Sequence, residues 1–121
     1  MSAYQRFPTQ ICLALAISAC GGAPLNQGKL TEANTALHAA ETLGAEQDPK
    51  AKQSLDSARK EVAEAQRLGA DGKGEKGELH LARALADADL ASQLMRTKQE
   101  EDKAHEAWAK SKSGGGTNPP Q

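Results

Sequence analysis

Aromatic side chains make up only 2% of this 121-residue chain, and after Phe7 the single one left is Trp108. A fold built around a thick core, or an enclosed apolar pocket for small-molecule chemistry, needs more bulk than this. Cysteine is equally scarce. Cys12 and Cys20 are the only two, too few for a disulfide framework or a thiolate metal site. The longest apolar run, residues 11–19, has about nine residues, roughly half of what crosses a bilayer. A permanent membrane-spanning helix is not expected. Charge is also unbiased, at 26% charged residues and a net charge of -1. That excludes the basic stripe of a nucleic-acid binder and the acidic tail of a partner for basic proteins, so no nucleic-acid partner is expected. β-Branched residues are almost absent after Cys20.

What is present begins with a processing signal. A polar lead carrying Arg6 precedes the apolar run, which ends in Ile17, Ser18, Ala19 and Cys20, followed by Gly21 and Gly22. An aliphatic residue three positions before a cysteine, with small residues between, fits a peptidase that cuts ahead of a lipid-bearing cysteine. Residues 1–19 therefore read as a lipoprotein signal peptide, cleaved between Ala19 and Cys20, with Cys20 as the lipidation site. Several acyl chains on one residue make a stable anchor, because each buried methylene contributes about 0.8 kcal/mol. Residues 20–29 (CGGAPLNQGK) then read as the lipidated cysteine and a tether with no periodic face. Gly21 suits export to the outer membrane, so the expected location is the cell envelope, facing the periplasm.

From Ala33 to Ala109 alanine dominates, among Leu, Glu, Lys, Gln and Arg, which are strong helix formers. The expected fold class is all-α: three antiparallel helices, short, medium and long, in an alanine-rich hairpin or bundle over residues 30–110. The first spans about 30–44, with Thr31 as N-cap, Glu32 in the first turn, Gly44 as the stop, and Leu30, Ala33, Leu37 and Ala40 on one face. The second spans about 49–68, restarted by Asp48 and Pro49, with Ala51, Leu55, Ala58, Val62, Ala65 and Leu68 forming its buried stripe. Residues 69–77 (GADGKGEKG) hold four glycines in nine positions and read as a flexible loop. Neither a phosphate loop nor a calcium loop fits: no Ser or Thr follows Gly-Lys, and Lys73 stands where a ligand oxygen is required. The third helix is expected over about 78–110. Beyond Met95 it turns almost wholly polar, and it either projects past its neighbours or packs on the first helix. Residues 111–121 read as a disordered tail by composition.

This pattern resembles the alanine-rich bacterial envelope module of domain-of-unknown-function family 4398, found in small lipoproteins and ahead of OmpA-type domains. The resemblance is carried by residues 33–45 (ANTALHAAETLGA), by Pro49, by residues 55–65 (LDSARKEVAEA) and most clearly by residues 84–91 (ALADADLA). It covers about residues 30–95 and departs from the family in its longer, glycine-rich turn. It implies helical envelope architecture and brings no catalytic residues.

Chemistry-bearing residues are few. His38, His80 and His105 are not paired at metal-ligand spacing, although His38 with Glu41 and Asp102 with His105 share helical faces. No metal site, cofactor or catalytic set is expected, and the chain reads as a non-enzyme. Trp108 admits two readings: a ring that covers the end of the hairpin against the first helix, or an exposed contact for a partner. The functional expectation is a non-catalytic structural or adaptor lipoprotein with a protein or peptidoglycan-associated envelope partner. The alternative is a regulator or carrier of an envelope enzyme, acting through the charged end of the third helix. A homo-oligomer built through Leu55, Val62, Leu85 and Leu94 is a further expectation, because alanine seams bury little area.

Overall fold

The computed structural model describes residues 22–114. The expected signal peptide with its cleavage site at Ala19, the expected lipidation site Cys20 and the last seven residues of the expected tail lie outside them. Three helices follow in order: α1 (Gln27–Thr42), α2 (Pro49–Ala70) and α3 (Gly74–Ser113), with one 3₁₀ turn (Ala45–Gln47) between the first two. Each runs antiparallel to the next. α1 and α3 are consequently parallel, with Lys29 beside Glu78 at one end and Gly44 beside Met95 at the other.

Local chemistry explains the ends. Asp48 caps α2, its Oδ1 accepting from the amides of Lys50 (3.0 Å) and Ala51 (2.9 Å), and Pro49 fills the first position, where no amide partner is needed. Gly44 stops α1 in the left-handed region at φ 89. α2 ends in a Schellman closure: Lys73 N–H donates to Leu68 O at 2.8 Å, Gly72 N–H donates to Gly69 O at 3.1 Å, and Gly72 takes φ 72. A side chain at Gly72 would make that reversal costly.

Small side chains set the packing. Ala40, Ala51, Ala58, Ala65, Ala84, Ala88 and Ala91 are fully buried, while Leu55 and Leu81 are the largest side chains enclosed. Alanine at the seams lets helix backbones approach closely, so many small contacts do the work that a few large side chains do in a thicker core. α3 carries the contacts of both other helices, whereas α1 and α2 meet far less. The expected α2 stripe is the observed one, Leu68 included.

Four boundary expectations are corrected. α1 begins at Gln27, capped by Asn26, whose side chain accepts from Lys29 N–H. Thr31 instead donates its hydroxyl back to Gln27 O at 2.9 Å, inside the helix. The loop over residues 69–77 shrinks to Asp71–Gly72–Lys73, because Gly69 belongs to α2 and Gly74 and Gly77 belong to α3. α3 also continues to Ser113, three residues into the expected tail.

The tether is corrected too. Leu25 is only 8% exposed. It lies in a slot left by two absent side chains: a Cβ on Gly69 would meet Leu25 Cβ at 2.8 Å, and one on Gly77 would meet Leu25 Cδ1 at 2.7 Å. Gly74 N–H donates to Ala23 O at 2.9 Å. These glycines are spacers for a strap, residues 23–26, which pins the chain's start to the α2–α3 turn.

Candidate functional site

Where α2 begins, α3 is at about Met95, and among the described residues only the start of α2 accompanies it for about another turn and a half. The last shared groove is lined by Asp48, Lys50, Leu94, Thr97, Lys98 and Glu101. From Arg96 to Gly114 every residue is exposed. At about 1.5 Å per residue α3 is about 60 Å long and α2 about 33 Å, so nearly half of α3 stands clear of the bundle. A solitary polar helix of this kind relies on local support. Lys98 pairs with Asp102 one turn on at 3.7 Å, and Lys110 and Lys112 sit in the last turn, where cations favour the helix dipole.

Trp108 is on this free segment and is 60% exposed. The reading in which its ring packs against α1 is thereby corrected: α1 ends at Thr42, level with Met95, far short of it. Lys112 Nζ stands 4.0 Å from the ring centroid, a cation–π contact of about 0.5–1 kcal/mol at an exposed position. Glu101, Ala104, His105 and Trp108 form one continuous facet. Its walls come from a single helix, so it offers a surface to lean on rather than a cavity. An exposed tryptophan among polar side chains is the residue type that anchors protein interfaces.

The other polar residues build structure. Arg59 bridges Glu41 (2.6 Å), Glu46 (2.5 Å) and Asp56 (3.2 Å), and Lys52 joins Glu46 (3.2 Å) and Asp56 (3.1 Å), tying α1, the 3₁₀ turn and α2 into one corner. The Arg59 hydrogen bond lowers the Glu46 carboxyl below its ordinary range, with Lys52 adding to it. The Lys52 hydrogen bond does the same for Asp56. Glu41, a sequence-level partner of His38, lies 3.6 Å from the exposed His38 ring but is also engaged by Arg59. Asp102 is paired to Lys98 rather than to His105.

His80 has a partner that spacing does not reveal. Its Nδ1 is 2.5 Å from Glu61 Oε2 across the α2–α3 seam, and Ser57 Oγ donates to Asp87 at 2.7 Å further along the same seam. Only hairpin register brings residues 19 and 30 positions apart into contact. Among the described residues no three His, Cys, Asp or Glu side chains converge as metal ligands would.

The fold and this surface define a class: a three-helix module with one over-long helix presenting an unaccompanied end. Comparison with protein-family models, curated proteins and solved structures found no match.

Proposed function

We propose that the protein is a membrane-anchored bacterial envelope lipoprotein acting as a non-catalytic adaptor, lipidated at Cys20 and offering the free end of α3 to a protein or peptidoglycan-associated partner in the periplasm. The observation that carries this reading is α3 itself, which extends past the other described helices and exposes Trp108 on that extension. A helix segment with no partner among the described residues contributes little to the stability of the fold they build. Its surface is free to do other work. The pattern Ile17, Ser18, Ala19, Cys20 supports attachment by lipid, and no described helix is long and apolar enough to cross a membrane. Gly21 after the cysteine supports the outer membrane as the destination, and the resemblance to family 4398 points to the envelope as well.

Affinity capture of the lipidated protein from gentle detergent, with mass spectrometry of its partners and of the Cys20 peptide, tests the proposal. An envelope protein or peptidoglycan fragment retained by the full chain, and lost when residues 96–121 are deleted, is the expected result. Equal capture by both forms would refute it. A second reading, regulation of an envelope enzyme through the same end, is favoured by its charge density, with acidic residues at 100–102 and 106 and basic ones at 96, 98, 103, 110 and 112. Under that reading the same deletion removes the partner's activity as well as its capture.

The expected homo-oligomer receives a narrower basis. Leu55 and Val62 are buried in the chain's own core and Leu85 and Leu94 are half-covered, whereas Leu79 and Leu90 are the large aliphatic side chains left outside.

A further inference from the structure

From the strap we infer that the α2–α3 turn is the membrane-facing end of the module, seated in the lipid headgroup layer, with α3 leading away from the bilayer towards its free end. The inference rests on lipidation of Cys20 and adds to it a direction that the anchor alone does not supply. A flexible tether of ten residues would leave the bundle free to tumble at up to roughly 30 Å from its lipid. The structure removes most of that freedom. Leu25 is wedged between Gly69 and Gly77, Ala23 O accepts from Gly74 N–H, and the Gly22 backbone lies against that of Gly72, close enough that a Cβ on Gly72 would stand 3.5 Å from Gly22 Cα.

Cys20 is two residues before Gly22. Two residues span at most about 7 Å, close to the depth of one headgroup layer, since headgroups on both sides add about 10–15 Å to the hydrocarbon core. With its acyl chains in the bilayer, Cys20 holds Gly22, and Gly72 with it, within reach of the headgroups. The groove there is lined by Ala23, Gly72, Lys73, Gly74, Glu75 and Lys76. Lys73 and Lys76 offset Asp71 and Glu75 in charge, so the seat does not depend on anionic lipid. α3 starts in this turn, and Trp108 lies 34 residues further on, about 51 Å along the helix axis. The partner surface of the proposed adaptor is thus the part of the described chain farthest from the lipid.

The test uses the lipidated protein in neutral phosphatidylcholine vesicles carrying a headgroup-attached quencher. Cys12 leaves with the signal peptide and Cys20 carries lipid, so one introduced cysteine takes a fluorophore uniquely, at Asp71→Cys or at Lys110→Cys. We expect several-fold quenching at position 71 and none at position 110. Equal quenching at both would mean that the module lies flat, and quenching at neither, with the protein still floating with the vesicles, would mean that the strap is released. Either overturns the inference while leaving the anchor intact. A Cys20 peptide without acyl mass, or protein that fails to float, removes the lipidation reading and this inference with it.

Discussion

Replacing Gly77 by alanine sets two physical expectations of opposite sign against each other. Gly77 lies in the first turn and a half of α3, and on helix propensity alone alanine there stabilises by about 0.5–1 kcal/mol. The packing predicts the reverse. The new Cβ would stand 2.7 Å from Leu25 Cδ1 and 2.9 Å from Ala65 O, and the second of these is backbone of the facing helix. A flexible leucine tip can turn aside, but a helical carbonyl moves only if α2 and α3 separate. Overpacking of this kind costs about 1–3 kcal/mol, so the net expectation is a loss of about 1–2 kcal/mol. For a domain of this size each kcal/mol moves the Tm by about 4–8 °C. Thermal unfolding followed by circular dichroism should therefore show Gly77→Ala melting about 5–15 °C below the parent. Leu25→Ala, which empties the slot, should cost about 2–3 kcal/mol, at the low end for a buried leucine because the site is at the domain's edge and can partly collapse. In the Leu25→Ala background Gly77→Ala should cost less than it does alone, because one clash of the two has gone, yet should remain unfavourable. A rise in Tm on Gly77→Ala in the parent would refute the reasoning: residues 69–77 would then behave as the open loop that their composition suggests.

Three further predictions follow from the same geometry. Trp108→Ala should leave the Tm within about 4 °C, since exposed substitutions usually stay within about 0.5 kcal/mol, while partner capture falls; a large drop in Tm would restore the packed reading of the ring. Asp48→Ala removes the two hydrogen bonds that cap α2 and should cost about 1 kcal/mol, seen as a Tm lower by about 4–8 °C, with Asp48→Asn nearly neutral. Glu46 and Asp56 have folded pKa values below their ordinary 4.5 and 3.8, so the unfolded chain binds protons more readily in that range. Their contribution is present above the ordinary values and is lost as the pH falls through the lowered ones. The Tm should accordingly decline below about pH 4.5, and Arg59→Gln should flatten that decline; an identical acid limb in the variant would show that the Arg59 corner contributes nothing.

Legibility differed from element to element. The α2 stripe could be read directly, because six residues at spacings of three and four define a face whatever covers it, and Asp48, Pro49 and Gly44 announce their roles through local chemistry. The start of α1 could not. Asn26 and Thr31 are both competent caps, and the choice depends on Leu25 being buried just upstream, which fixes where the chain enters the helix. The glycines misled for a related reason. Composition treats Gly69, Gly74 and Gly77 as helix breakers, yet each is tolerated within a helix because a second segment occupies the volume its side chain would have taken. Trp108 was left between two readings because periodicity places a residue on a face without saying how long the neighbouring helix is.

The amino-acid order alone determined helix type, the number of helices, and the inward faces of α1 and α2, because these depend on residues within a turn or two of one another. Only the tertiary structure decided that the chain's start is strapped to the α2–α3 turn, that His80 meets Glu61, and that Trp108 stands free. Each of those depends on relative helix lengths and on which backbone fills which gap. These are relations between segments up to about fifty residues apart, and no local pattern encodes them.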